Sequence, residues 1–212
     1  MEIEKFNARN EFLYHLTDRR NWEIIKDVGL LLSTELIVNQ SNLNEEEKNT
    51  ILRNRRPVHT QIFINGYSYF LRDQRPISAK NLSKCLTNGW TVSDFLYHLN
   101  RRVFFWPTIS RLLSHYGRYA HENPIIIKVS SSSMLALNEH AEFCRLNSGA
   151  TRSSSYLNGA PPERGEETFQ PASLYNLPVG SVAEVTFPNT CKLPKKIFIG
   201  NNPNGPWEEM NL

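Results

Sequence analysis

The sequence has few cysteines, no long apolar run and no strong excess of charge. Its 212 residues include three cysteines, which lie far apart and form no CxxC or cysteine–histidine cluster. We therefore predict a reducing compartment and no structural zinc site. No run of roughly 18 apolar residues occurs, and the N-terminus lacks a signal-peptide pattern, so we expect a cytoplasmic protein without a membrane partner. The formal net charge of +3 means that any contact with nucleic acid must come from a local patch.

Several motif-defined enzyme classes are also missing. There is no GxxxxGK[ST] and no GxGxxG, which excludes ordinary phosphate-loop and dinucleotide-fold proteins. There is no HExxH and no GxSxG. The histidines are scattered without the spacing of metal ligands, so we predict that the protein holds no metal.

The order of the elements predicts an α+β fold, with helices clustered in the N-terminal half and strands late. Residues 12–16 are typical of a short strand, and a helix that ends at Gly29 follows. Residues 103–106 and 124–129 are short apolar runs typical of buried strands, and residues 182–187 and 196–199 are predicted as the last two strands. We expect one domain over residues 1–212.

Two segments are expected to interrupt this domain. Residues 39–61 are predicted to be a helical insertion, capped by Asn44 and ending in Arg53, Arg55 and Arg56. The basic end is typical of a solvated helix terminus, and the alternative is an edge that contacts phosphates. Residues 147–178 are rich in Ser, Gly, Pro and Asn and are predicted to form a long loop.

Some polar side chains lie on predicted strands. His15 and Thr17 share one strand face, and they either meet a ligand or serve as a half-buried core residue and a helix cap. Glu184 interrupts an apolar strand, where it faces solvent or lines a cleft, and the pattern alone favours solvent. Arg72 follows an apolar segment and can either pair with its neighbours in a surface turn or reach into a pocket.

These pieces, in this order, resemble the DarT-like toxin branch of the ADP-ribosyltransferase superfamily. Tyr14-His15-Leu16-Thr17 followed by Gly29-Leu30-Leu31 is similar to the branch's opening element, and Asn21 falls where those sequences often carry asparagine. Val103-Phe104-Phe105-Trp106-Pro107 looks like its aromatic strand, and Ala183-Glu184-Val185 followed by Pro188 looks like its late strand. The LRDQ, RRVFFW and late-glutamate elements also resemble those of an uncharacterised bacterial family.

The resemblance implies an ADP-ribosyltransferase-like split β-sheet core and assigns roles to residues. Glu184 would be catalytic, with Glu166 and Glu167 as alternatives, and Arg72 would be the functional arginine, with Arg75 as its alternative. The implied residues that bind NAD⁺ are His15, Leu16, Thr17, Asn21 and Phe105. Of these, His15 and Thr17 would hold the adenosine ribose or the nicotinamide amide, and Phe105 would stack on the nicotinamide. Arg72 would bind the pyrophosphate or help to deprotonate a nucleobase amine.

The implied function is transfer of ADP-ribose from NAD⁺ to a nucleic-acid base, in a bacterial toxin or phage-defence effector with a possible antitoxin partner. The alternatives are a protein ADP-ribosyltransferase, an RNA 2′-phosphotransferase, and a non-catalytic nucleic-acid-binding module of the same fold. A set of basic residues is compatible with a DNA or RNA strand, and its members are Arg53, Arg55, Arg56, Arg101, Arg102, Arg111 and Arg118.

Overall fold

Two four-stranded antiparallel sheets form the frame of the molecule, as seen in a computed structural model that describes residues 1–151 and 162–212. The strands are β1 Phe12–Thr17, β2 Leu30–Leu32, β3 Thr60–Ile64, β4 Tyr67–Leu71, β5 Arg102–Phe105, β6 Ile125–Ser130, β7 Glu142–Cys144, β8 Gln170–Pro171, β9 Glu184–Pro188, β10 Thr190–Lys192, β11 Lys196–Gly200 and β12 Glu208–Asn211. One sheet has the order β1-β6-β11-β12 and the other β5-β9-β7-β8, while β2–β10 and β3–β4 form separate pairs.

Eight α-helices surround these strands in the described residues. They are α1 Ile3–Arg9, α2 Trp22–Val28, α3 Thr34–Asn39, α4 Glu45–Arg53, α5 Ala79–Leu82, α6 Val92–Asn100, α7 Ile109–Tyr119 and α8 Ser131–Leu137. The structure is thus a mixed α and β fold with antiparallel sheets, and six of the eight helices precede β5. Within the described ranges, none of these helices has the length and apolarity needed to traverse a bilayer.

Local sequence signals account for several element boundaries. Asn44 and Glu47 form a reciprocal capping box at the start of α4, and Thr91 and Asp94 do the same for α6. Gly29 ends α2 in the left-handed conformation with φ of 67°. The predicted cap at Asn44 and the predicted helix end at Gly29 are confirmed.

The β3–β4 hairpin closes tightly for a similar local reason. Its turn is Asn65-Gly66, and both residues have positive φ, as a two-residue turn that follows the twist of the strands requires. The hairpin lies next to the short 3-10 turn that links β1 to α2.

Other predicted elements differ from the structure because distant chain segments compete. The Ser78 cap and the apolar residues Leu82, Cys85 and Leu86 predict a helix, but α5 ends at Leu82, since the backbone of Cys85 and Thr87 instead exchanges hydrogen bonds with Arg164. The predicted loop 147–178 contains β8, which pairs with β7. The rest of that loop includes residues 152–161, which lie outside the described residues. The last residues of the chain contribute β12 to the first sheet.

The main core is built from both sheets. Leu13 and Ile127 of the first sheet and Phe105 and Val185 of the second belong to one buried cluster, which helix α2 extends through Ile25. Along β1, Leu13 enters this core, and His15 and Thr17 lie on the same face further along the strand. The face of β1 that packs into the core therefore ends in polar side chains.

Candidate active site

A cavity of about 300 Å³ lies at the polar end of β1. Strands β1, β2 and β4, helix α7, the start of β9 and the loop at Ser148 contribute to its wall. Polar side chains or backbone groups at the wall come from His15, Thr17, Arg72, Arg118, Ser148 and Glu184. His15 and Glu184, which stand near opposite ends of the sequence, thus border one cavity.

Glu184 is a buried carboxyl group at the cavity wall. It opens β9, lies opposite Cys144 of β7, and is 3% exposed, so the solvent-facing interpretation of this strand is wrong. Its Oε2 accepts a hydrogen bond from the backbone N–H of Ser148 at 3.2 Å. Burial raises the pKa of Glu184 to about 7, against the opposing effects of Ser148 and of Arg164 and Arg111. The carboxyl therefore changes charge near neutral pH.

Arg164 holds the loop that reaches Glu184. Arg164 is 3% exposed. Its guanidinium donates hydrogen bonds to the backbone oxygens of Ser148, Ala150 and Pro162 at 3.2, 2.9 and 2.9 Å. A longer bond of 3.5 Å reaches Asn147. A planar guanidinium can bind several carbonyls at once. Arg164 thereby fixes the backbone that presents the Ser148 N–H.

His15 offers a neutral imidazole to the cavity. Its Nδ1 lies 2.8 Å from the carbonyl oxygen of Phe104, an arrangement in which Nδ1 carries the proton and donates. Burial lowers the pKa of His15 to about 4, the bond to Phe104 opposes that shift, and Arg72 adds to it. Nε2 is then an acceptor at neutral pH, suited to an amide or hydroxyl donor.

Arg72 closes another side of the cavity. Its Nη1 donates to Glu122 Oε2 at 2.8 Å and its Nη2 to the backbone oxygen of Thr17 at 3.1 Å. The guanidinium lies 4.3 Å from the ring centroid of Tyr119, and the side chain is 14% exposed. Of the two sequence alternatives for this arginine, the cavity position belongs to Arg72. Arg75 has a side chain 60% exposed, and it pairs with Asp73.

The alternative acidic residues lie elsewhere. Glu166 and Glu167 border a second cavity of about 240 Å³, together with Arg145. Neither glutamate lines the cavity that contains His15. The geometry therefore groups Glu184, and not this pair, with His15 and Arg72.

A protein-family model described as "Family of unknown function (DUF7002)" matches residues 11–194. The chain belongs to this family. No curated protein and no solved structure matches the chain. Every residue that lines the His15 cavity falls within the matched range, so the cavity is built entirely from DUF7002 residues, while strands β11 and β12 lie beyond it.

Three predicted ligand-binding residues, Leu16, Thr17 and Asn21, line the cavity of the DUF7002 domain. Thr17 and Leu16 line the cavity but are largely buried, and the Thr17 carbonyl accepts from Arg72. The side-chain amide of Asn21 donates to the Phe70 carbonyl at 3.0 Å and accepts from the Phe70 N–H at 2.8 Å. Asn21 therefore ties β4 to the turn before α2 and places Phe70, whose ring is covered by the Arg20 guanidinium at 3.7 Å, at the cavity.

Phe105 does not line the cavity of the DUF7002 domain, although it was expected to stack on a nicotinamide ring. It is fully buried, with its ring centroid 5.2 Å from that of His15 and 5.5 Å from that of Phe187. Its neighbours Phe104 and Trp106 line the cavity instead. Phe105 therefore packs against the imidazole of His15 without lining the cavity.

The predicted basic set of the DUF7002 domain does not form one exposed row. Arg56 is 8% exposed, so the solvated-terminus interpretation of the 39–61 segment is wrong for this residue. The side chain of Arg102 is also buried and pairs with Glu142 at 2.7 Å. Helix α4 packs against α3 and α6, and the segment contributes Arg56 to the cavity wall. No sequence signal separated Arg56 from the exposed Arg55 next to it.

One group of side chains beside the cavity has the composition of a cation site. Ligand atoms of Asp18, His59 and Glu122 lie within 4.8 Å of one another. The sequence predicted no metal, because no spacing connects these three residues. Arg20 pairs with Asp18 and Arg72 with Glu122, each at 2.8 Å, so both carboxylates already have cationic partners.

Proposed function

We propose that this protein is an NAD⁺-dependent ADP-ribosyltransferase that modifies a nucleic-acid base. The observation that carries the proposal is that His15, Arg72 and Glu184, the residues singled out by the resemblance, line one cavity. Perturbed titratable groups in a cavity are a general mark of functional sites. Glu184, with its pKa raised to about 7 by burial, meets that description.

The arrangement of strands is compatible with an ADP-ribosyltransferase-like split-sheet core. His15 comes from β1 in one four-stranded sheet, and Glu184 comes from β9 in the other. The two sheets approach each other where Tyr14 and Trp106 form an isolated bridge. A pocket between two sheets, lined from both, is the arrangement that the proposal needs.

The chemistry assigned to the cavity is substitution at the nicotinamide ribose of NAD⁺. The bond between C1′ and the nicotinamide nitrogen breaks, and nicotinamide leaves with the bonding electron pair. A nucleobase nitrogen bonds to C1′ and gives up a proton. The transition state resembles an oxocarbenium ion, which an anionic Glu184 stabilises. The same carboxylate accepts the released proton, a task for which a pKa near 7 is well matched.

The outer face of the first sheet supports a nucleic-acid target. The ammonium of Lys128 lies 4.0 Å from the ring centroid of Phe12, 5.2 Å from that of Trp207 and 5.3 Å from that of Phe198. All four side chains are partly exposed. Aromatic rings beside a cation form the kind of surface on which unpaired bases stack.

The test is transfer of label from adenylate-labelled NAD⁺ to single-stranded DNA, duplex DNA, RNA or protein. We expect the wild type to label a nucleic acid. The rate of label transfer should fall at least about a hundredfold in Glu184→Gln, because this variant lacks the negative charge that stabilises the transition state. Glu167→Gln is the matched control and should keep activity. Trp207→Ala should weaken transfer to nucleic acid more than it weakens NAD⁺ cleavage.

The outcomes separate the candidate functions. Label found only on protein would reject the nucleic-acid target and keep the reaction type. Equal activity of wild type and Glu184→Gln, or no labelled product with any acceptor, would reject the enzyme.

A further inference from the structure

The arginines of the cavity wall differ in whether a carboxylate balances their charge. Arg56, Arg72, Arg102 and Arg118 all line the cavity. Two of them form ion pairs, Arg72 with Glu122 and Arg102 with Glu142. Arg56 and Arg118 remain, and neither forms an ion pair with a carboxylate of the described residues.

The acidic side chains of the wall do not neutralise the charges of Arg56 and Arg118. Asp18 pairs with Arg20 at 2.8 Å, and Asp73 pairs with Arg75 at 2.7 Å. Glu184 is bound to the Ser148 N–H and is protonated in a large share of molecules near neutral pH, because burial raises its pKa to about 7. The wall therefore carries an excess of positive charge.

Arg56 places one of these charges deep in the wall. Its guanidinium donates to Asn100 Oδ1 at 2.9 Å, to the Ile51 carbonyl at 3.2 Å and to the Arg72 carbonyl at 3.3 Å, all neutral acceptors. Burial lowers the pKa of Arg56 to about 10, and Asp73 opposes that shift from beyond ion-pair distance. Arg56 is therefore cationic at neutral pH, and a buried cation without a counter-ion is costly.

Arg118 places the second charge on helix α7 and has free donors. In the part of the chain that the structure describes, its side chain forms neither a hydrogen bond nor an ion pair. Arg118 precedes Tyr119 in the chain and affects its titration. Burial and Asp73 raise the pKa of Tyr119 to about 12, and the positive charges of Arg72 and Arg118 oppose this rise. Tyr119 also acts on Arg56, and Arg56, Arg118 and Tyr119 all line the cavity.

We infer that Arg118, supported by the buried charge of Arg56, binds a phosphate or diphosphate group of the cavity's ligand. Charge-assisted hydrogen bonds to phosphate are the strong contacts that a free guanidinium makes. Identifying the group as the diphosphate of NAD⁺ rests on the proposed function, while the preference for an anion follows from the charges. Arg72, expected from the resemblance to hold the pyrophosphate, already has Glu122 as its anionic partner.

Calorimetry with four probes tests the inference: ADP-ribose, ADP, NAD⁺ and adenosine. We expect the three diphosphates to bind and adenosine to bind at least about tenfold more weakly. Arg118→Gln should weaken ADP-ribose binding roughly tenfold to a hundredfold, the range that charge-assisted hydrogen bonds span. Arg118→Lys should retain part of the affinity, and Arg101→Gln, which removes an exposed charge outside the cavity, should change it less than twofold.

Arg56→Lys is a second variant that keeps the buried charge with fewer donors, and its melting temperature shows whether it folds. Adenosine binding as tightly as ADP-ribose, no binding of any diphosphate, or unchanged affinity in Arg118→Gln would overturn the inference. If ADP-ribose binds through Arg118 but NAD⁺ is never cleaved, the proposed function fails and the anion site stands. If Arg118→Gln cleaves NAD⁺ with an unchanged KM, the proposed function stands and the anion site at Arg118 fails.

Discussion

The backbone N–H of Ser148 donates to Oε2 of Glu184 across 3.2 Å, and this bond joins β9 to the loop that Arg164 holds. The bond stabilises the anionic form of a carboxyl that burial otherwise keeps protonated to near neutral pH. The charge of Glu184 is thus set by two opposing features, the depth of the cavity and the position of one loop.

Activity should depend on pH through Glu184. If its carboxylate is the active form, kcat/KM for label transfer should rise about tenfold per pH unit below pH 7 and level off above it, because the pKa is about 7. A pH series in buffers of constant ionic strength measures this. The residual activity of Glu184→Gln should lack the inflection, and a wild-type profile that is flat between about pH 5 and 8 would contradict the assignment.

Folding stability should also change with pH because of Glu184. Its folded pKa of about 7 lies above the ordinary value of 4.5, so its favourable contribution is complete below pH 4.5 and is lost as pH rises through 7. The free energy of unfolding of Glu184→Gln should therefore increase relative to that of the wild type as pH rises, by an amount on the order of 3 kcal/mol by pH 8. Urea unfolding of both proteins at pH 5 and pH 8 measures the difference. A constant difference between them would show that Glu184 titrates normally.

Arg164→Gln should destabilise the protein by about 3 kcal/mol, because several buried carbonyls lose their donor at once. Arg164→Lys should fall between this variant and the wild type, since an ammonium cannot bridge the same carbonyls. Arg145→Gln, an exposed neighbour of the second cavity, is the control and should change stability by less than about 0.5 kcal/mol. Urea midpoints test the order. Equal effects of the two glutamine variants would mean that Arg164 does not hold the loop.

Arg72 and Arg75 should differ in their effect on transfer. Arg72→Gln removes the partner of Glu122 and uncovers the ring of Tyr119 at the cavity, so kcat/KM should fall at least about tenfold. Arg75→Gln removes a side chain that is 60% exposed and lies outside the cavity, where it pairs with the buried Asp73, and should leave kcat/KM within about twofold. Steady-state kinetics with labelled NAD⁺ compares them. The reverse ranking would move the functional arginine to Arg75.

Local sequence patterns predicted the element boundaries that depend on residues close together in the chain. The Asn44 cap of α4 and the left-handed Gly29 at the end of α2 depend on residues a few positions apart, and β1 runs to Thr17, one residue beyond the predicted strand 12–16. The same patterns failed for the helix after Ser78, because Arg164 binds the backbone at Cys85 and Thr87. That competition involves a residue far along the chain, which no short window contains.

Some of the residues that line the candidate cavity were predicted. The resemblance selected His15, Arg72 and Glu184, and the structure places all three on one cavity wall. Arginine is usually exposed, so the patterns assigned Arg56 to a solvated helix end, and a loop composition assigned no role to Ser148. Phe105 was expected to contact the ligand, although alternation along β5 puts Phe104, and not Phe105, at the cavity.

The sequence by itself determined where several helices and strands begin, which side chains share a strand face, and which residues resemble those of a known enzyme family. Only the tertiary structure decided which charges are balanced: Arg72 by Glu122, Asp73 by Arg75, and Arg118 by no carboxylate among the described residues. The physical reason is that burial and ion pairing depend on distances between segments remote in sequence, and these distances set both the pKa of Glu184 and the charge of the cavity.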